Sequence, residues 1–223
     1  LFDKFLQSDI KDFIFFSSVK AAADSVEGAL TEDSKANPQT AYGKSKLKAE
    51  TYLLSKQLPS NKRLIIIRPC MIHGEGNKGN LNLLYQVVKY SVPWLLAAYE
   101  NRRSFISIDN LNYVVYEILN HPEIPSGIYN TADDKPMSTN ALITLIAESI
   151  NKKPRLLKIP KFVINQMAKI GDKAHLPLNT ERLQKLTESY VVSNQKIKQS
   201  LGIDTLPFTV EQGLTKTIKS FDK

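Results

Sequence analysis

Tyr42-Gly43-Lys44-Ser45-Lys46 sets a phenol and an amine four residues apart. On a helix this spacing puts both side chains on one face, about a turn apart. Such a pair can make a general base. A free phenol titrates near pH 10, whereas a base working at neutral pH should titrate near 7. Closing that gap takes about 4 kcal/mol of preference for phenolate, much of which a nearby ammonium in a partly desolvated cleft can supply. The spacing is not selective by itself, because Tyr52/Lys56 and Tyr85/Lys89 share it. Only Tyr42 follows a strand-like run that ends in hydroxyls, Asp12 to Ser17 with Ser18 next. Catalytic groups collect at the carboxyl ends of parallel strands and on the elements after them. A strand-end hydroxyl and a Tyr-Lys face on the next helix can therefore converge on one substrate hydroxyl. The alternative is a surface helix on which the two side chains merely pack together.

The elements that must position these groups alternate between strand and helix. Asp12 to Ser17 reads as a buried strand, residues 40–58 as a long helix ending before Pro59, and Arg63 to Arg68 as a second buried strand closed by Pro69. A loop with Gly74, Gly76 and Gly79 leads to an apolar helix near 81–90. Residues 105–108 read as a strand, with Asp109 as N-cap of a helix from Asn110 to Leu119. Residues 127–131 form a short strand, and Ser138 is expected to cap a helix over 139–150. Helical stretches follow near 160–170, 179–188 and 194–201, with strand-like Tyr190-Val191-Val192 between two of them and a last helix after Pro207. This order predicts an α/β fold, a mainly parallel sheet with helices on both faces, with a smaller mixed lobe built from about residue 70 onward. Leu1 to Leu6 reads as a helix entered midway, so an N-terminal piece is expected to be missing.

Bulk properties narrow the class. With 42 % hydrophobic and 23 % charged residues, the 223-residue chain has the composition of a globular protein. It holds no apolar run near the ~20 residues of a membrane span. A single cysteine, Cys70, excludes an internal disulfide and fits a reducing, cytoplasmic compartment. Cys70 itself reads as a small buried hydrophobe. His73, His121 and His175 show no metal-ligand spacing. The net charge of +8 is spread over short basic runs and reads as a solvated surface, so neither nucleic acid nor membrane is expected as a partner.

The run Phe13 to Ser18, followed by Asn37-Pro38-Gln39-Thr40-Ala41-Tyr42-Gly43-Lys44-Ser45-Lys46, resembles the active-site region of the extended short-chain dehydrogenases/reductases, especially UDP-sugar 4-epimerases. Arg68-Pro69 with Gly74-Glu75-Gly76, the block from Arg102 to Leu111, Leu201-Gly202 and Glu211 to Leu214 extend the resemblance across the chain. It implies a truncated Rossmann-type sheet in residues 1–70 carrying the Tyr-Lys helix. Residues 71–223 would hold the remaining sheet elements and a substrate-binding lobe. It also implies NAD as cofactor, with Ser17, Tyr42, Lys46 and Pro69 on the cofactor side. Tyr42 would be the base, Lys46 its modulator and nicotinamide-ribose ligand, and Ser17 the group orienting the sugar hydroxyl. Ser18 shares that task, while Asn80 (in the loop from Asn77), Arg103 and Arg182 face the substrate's diphosphate.

Two departures from the family pattern stand out. The glycine-rich turn that cradles the cofactor pyrophosphate is absent; Gly74 to Gly79 has its letters but lies in mid-domain. Ala21-Ala22-Ala23 also replaces the usual tyrosine-glycine pair. The expected activity is C4 epimerisation of a UDP-hexose or UDP-N-acetylhexosamine, with the family's reductases and dehydratases as alternatives. Dehydration is disfavoured because Val19-Lys20 stands where dehydratases carry Asp-Glu. The fragment alone is expected to be inactive, at most a substrate-binding module, and the family's homodimer would form through the Tyr42 helix.

Overall fold

The structure is a computed structural model, and it describes residues 1–77, 79–174 and 179–222. Its centre is a parallel sheet in the order β1 (Asp12–Phe16), β3 (Arg63–Pro69), β6 (Gly127–Thr131). Ile14 lies opposite Ile65, and Ile66 opposite Ile128. Strand β3 is buried along its whole length, and its period of two divides it cleanly. Leu64 and Ile66 pack with Phe2, Phe5 and Leu53 from helices α1 (Phe2–Leu6) and α2 (Ala41–Leu54). Ile65 and Ile67 pack with Leu111, Val114 and Ile118 of α4 (Ile108–Asn120) on the other face. Both faces are therefore covered, as a mainly parallel α/β sheet requires.

Buried Arg63 ties the bottom of this sheet to α4. Its guanidinium bonds Asp12 at 2.8 Å and donates to the carbonyls of His121 and Ile118, the latter four residues before Pro122, which has no N–H to offer it.

Two smaller parallel pairs flank the sheet: β4 (Met71–His73) with β5 (Phe105–Ser107), and β2 (Ala29–Leu30) with β7 (Val191–Val192). A separate apolar core gathers α3 (Asn80–Lys89), α5 (Thr139–Ser149), α6 (Lys161–Ala174), α7 (Thr180–Thr187) and α9 (Val210–Lys219) around Trp94 and Phe105. The remaining helix, α8 (Gln195–Leu201), ends at Gly202 in the left-handed region.

Several expectations shift. Residues 12–15 are only half-buried and Phe16 is exposed, because β1 pairs with β3 alone among the described strands. The helix expected over 40–58 stops at Leu54. Strand β5 is cut short because Ile108 already belongs to α4, so Ser107 rather than Asp109 is the N-cap, accepting from the Asn110 N–H at 3.1 Å. Asp109 pairs instead with Lys216 of α9 at 2.7 Å. Ser138 caps α5 as expected, accepting from the Ala141 N–H. Strands β2 and β4 were not anticipated.

Candidate active site

Helix α2 starts where Thr40 accepts a hydrogen bond from the Gly43 N–H. The start is fixed from outside by Asp24, whose carboxylate accepts from the Gln39 N–H at 2.6 Å, the Thr40 N–H at 3.1 Å and the Thr40 hydroxyl at 3.0 Å. Partial burial acts to raise the Asp24 pKa, but these donors outweigh it and hold the group below the usual carboxylate value. Gly43 lets the helix come close. A Cβ there would lie 2.3 Å from the Lys20 carbonyl oxygen and 2.8 Å from Pro38 Cβ. On the inner face of α2, Glu50 forms a two-pronged buried ion pair with Arg68 of β3, at 2.9 and 2.5 Å. The helix is thus held at its start by the segment after β1 and, near its other end, by the sheet.

Tyr42 and Lys46 consequently share the side of α2 that faces the end of β1. The Lys46 Nζ lies 5.9 Å from the centroid of the Tyr42 ring and 5.4 Å from that of Phe15, and it donates to the Phe16 carbonyl at 3.0 Å. The next residue is Ser17, 5 % exposed, whose hydroxyl has no hydrogen-bond partner among the described residues. A buried hydroxyl left unpaired is costly and calls for a partner. Ser18 accepts from the Lys20 N–H at 3.2 Å, capping a short 3-10 turn over Val19–Ala21.

Tyr42 opens onto a cleft of about 530 Å³, whose walls include Lys20, Asp24, Asn80, Arg103 and Glu188. Behind it a cavity of about 230 Å³ is lined by Ser18, Lys20, Cys70, Arg103 and Tyr190, among others. Arg103 donates to the Lys185 carbonyl at 2.7 Å. Burial pushes its pKa down, with the Glu188 carboxylate opposing. Burial likewise lowers Lys20, against the fields of Glu188 and Asp24.

Of the residues singled out from sequence, Tyr42, Asn80 and Arg103 line the cleft and Ser18 and Arg103 the cavity; Ser17 and Lys46 line neither, and Lys46 instead reaches the end of β1 at the Phe16 carbonyl. Pro69 is buried at the end of β3, opposite Thr131, and lines neither cavity. Arg182 is exposed on α7, which instead sends Glu181, Gln184 and Lys185 to the cleft. Lys78 and His175 lie outside the described residues. Cys70 is buried, and burial pushes its thiol well above the ordinary value, as does nearby Asp133. It is inert. Among the described residues no cluster could hold a metal ion.

Sequence reasoning gave no site role to Lys20, Asp24 and Tyr190. Lys20 donates to the Asp24 carbonyl at 2.8 Å and sits 4.2 Å above the Tyr190 ring, whose hydroxyl donates to the Ala23 carbonyl at 2.6 Å. No local spacing announces a contact that spans 167 residues.

Comparison with known proteins bears on the fold and the family. Over 97 % of its length the chain is 29 % identical to a UDP-glucose 4-epimerase of Vibrio cholerae. Over 96 % it is 27 % identical to an N-acetyl-alpha-D-glucosaminyl-diphospho-ditrans,octacis-undecaprenol 4-epimerase of Escherichia coli O157:H7. It spans 65 % and 66 % of those two proteins. Among solved structures, a UDP-N-acetylglucosamine 4-epimerase from Bacillus cereus superposes with a TM-score of 0.73 at 17 % identity, covering 98 % of this chain and 68 % of that one. The Bordetella bronchiseptica enzyme WbmG, in complex with NAD and UDP, gives 0.70 at 16 % identity over 96 % and 60 %. These structures share the expected Rossmann-like fold. The sequence model of the 3-beta hydroxysteroid dehydrogenase/isomerase family matches residues 1–160, and the chain belongs to that family, in the NAD-dependent epimerase/dehydratase branch that the sequence resembles.

Proposed function

We propose that the intact enzyme inverts C4 of a UDP-hexose or UDP-N-acetylhexosamine through a transient 4-keto sugar. The observation that carries this reading is the Tyr42-Lys46 face, held at the end of β1 beside the unpartnered Ser17 hydroxyl and open to the Arg103 cleft. The names of the two relatives, both 4-epimerases, support it.

The residues present fit the nicotinamide side of NAD: an exposed phenol, an amine one turn along and a buried hydroxyl without a partner. When bound, NAD supplies the acceptor and donor of the C4 hydride. Tyr42 takes the proton of the sugar 4-hydroxyl and later returns it. Lys46 favours the phenolate and holds the ribose. Ser17 orients the 4-hydroxyl, and Ser18 shares this from the cavity wall. Arg103 and Asn80 meet the diphosphate, for which a guanidinium's fixed donors are suited. Pro69 would close the cofactor side from β3, and Arg182 would have to reach in from the exposed flank of α7.

Residues 1–70 would belong to the cofactor-binding domain, and residues 71–223 would supply its remaining sheet elements interleaved with the substrate lobe, in a cytoplasmic protein. Among the described residues, no helix is long and apolar enough to cross a membrane. A groove of about 570 Å³ along α2, lined by Leu47, Thr51 and Tyr52, offers a surface for a homodimer. The glycine turn that cradles the pyrophosphate is not among these 223 residues, so by themselves they would bind NAD weakly and not turn over.

The test is Tyr42→Phe in the full-length enzyme, with epimerisation expected to fall about 10²- to 10⁴-fold. Near-normal epimerisation would overturn the assignment. Stoichiometric consumption of reduced cofactor would replace epimerase by reductase.

A further inference from the structure

Residues 151–174 hold seven lysines and arginines against one acid, so +6 of the chain's +8 net charge falls in 24 of its 223 residues. From sequence these cations are expected to be an ordinary solvated surface. The structure adds an apolar component. Helix α6 buries Ile164, Ala168 and Gly171 against the lobe and leaves Phe162 70 % and Ile170 61 % exposed, with Met167 also outward. Leu157, just before the helix, is exposed as well. Lys169 and Lys173 follow Phe162 at i+7 and i+11, on the same outward side. Singly exposed apolar side chains need no explanation, but a group of them interleaved with lysines does. The one acid, Asp172, is engaged with α7, where its carboxylate accepts from the Thr180 N–H and hydroxyl.

We propose that this face of α6 is a peripheral docking site for an anionic phospholipid surface. Charge complementarity selects the occupant. A second copy of the chain would set Lys169 and Lys173 against their own counterparts. A nucleic-acid backbone would use the lysines but leave Phe162 and Ile170 without a role. At a bilayer interface the apolar side chains enter the headgroup boundary while the lysines meet anionic lipid. This departs from the expectation of no membrane partner. The site is independent of the reaction chemistry. Because α6 packs against α7, which lines the cleft through Glu181, Gln184 and Lys185, docking would set the cleft close to the membrane.

Sedimentation with vesicles tests this. The chain is expected to pellet with phosphatidylcholine vesicles containing phosphatidylglycerol, not with phosphatidylcholine alone, and less so as salt rises. Lys169→Gln and Lys173→Gln should each weaken partitioning about five-fold. Phe162→Ser with Ile170→Ser should weaken it further, with the circular dichroism spectrum unchanged. The control Lys11→Gln, an exposed lysine far from α6 in sequence, should pellet like the parent. Failure to bind anionic vesicles, equal binding to both lipids, or equal loss in the control would overturn the proposal. So would capture by duplex DNA in place of vesicles.

Discussion

The amine of Lys46 donates to the carbonyl oxygen of Phe16, the last residue of β1, at 3.0 Å. This bond joins the helix that carries the proposed base to the strand that delivers the serine pair. Lys46→Met keeps much of the stem but removes both the tie and the charge. In the full-length enzyme kcat is expected to fall at least about 10²-fold. A kcat within a few-fold of the parent's would assign Lys46 to packing alone.

Gly43 gives a prediction of a different kind. The φ of this helical glycine is ordinary; its need is space, because a methyl group would meet backbone at 2.3 Å. Gly43→Ala must push α2 away from the 3-10 turn and is expected to cost about 1–3 kcal/mol in denaturant unfolding. Gly79, whose Cβ would meet nothing within 4 Å, is the control. Equal effects at the two glycines would refute the close approach.

The carboxyl of Asp24 titrates below its ordinary value in the folded chain. A depressed carboxylate contributes stability above its unfolded pKa, near 4, and loses it as pH falls through the lower folded value. Acid should therefore loosen the start of α2. Asp24→Asn is expected to lower stability at pH 7 and to flatten its decline below pH 4. Stability-against-pH curves of parent and variant that stay parallel in acid would contradict this.

How much of this was legible in the sequence depended on range. Strand β3 declared itself because the apolar run Leu64-Ile65-Ile66-Ile67, flanked by Arg63 and Arg68, is closed by Pro69. The Ser138 cap was visible because its partner is only three residues away. Strand β7 could be read from Tyr190-Val191-Val192, whereas its partner β2, two residues long, carries no periodicity and exists through that pairing. Asp109 looked like a cap because its residue type is right, but position is set by where α4 starts, and Ser107 got there first. Within the site, the Tyr42-Lys46 face could be read from spacing and from the strand-end serines. The cleft's other wall could not, because Lys20, Tyr190 and the carboxyl-terminal half of α7 meet only after the chain has folded back over more than 160 residues.

The serine pair separates stability from activity. The Ser17 hydroxyl is buried without a partner among the described residues, so Ser17→Ala removes a group that makes no bond in the folded chain. Its stability is expected to stay within about 0.5 kcal/mol of the parent or rise slightly, since truncating an unsatisfied polar group relieves its desolvation. Ser18→Ala loses the cap on the 3-10 turn and should cost about 1 kcal/mol. In the full-length enzyme Ser17→Ala should nevertheless reduce epimerisation by at least about ten-fold, the loss of one oriented hydrogen bond to the sugar hydroxyl. A Ser17→Ala enzyme that is both stable and fully active, beside an impaired Ser18→Ala, would move the orienting role one residue along, to the hydroxyl that lines the cavity.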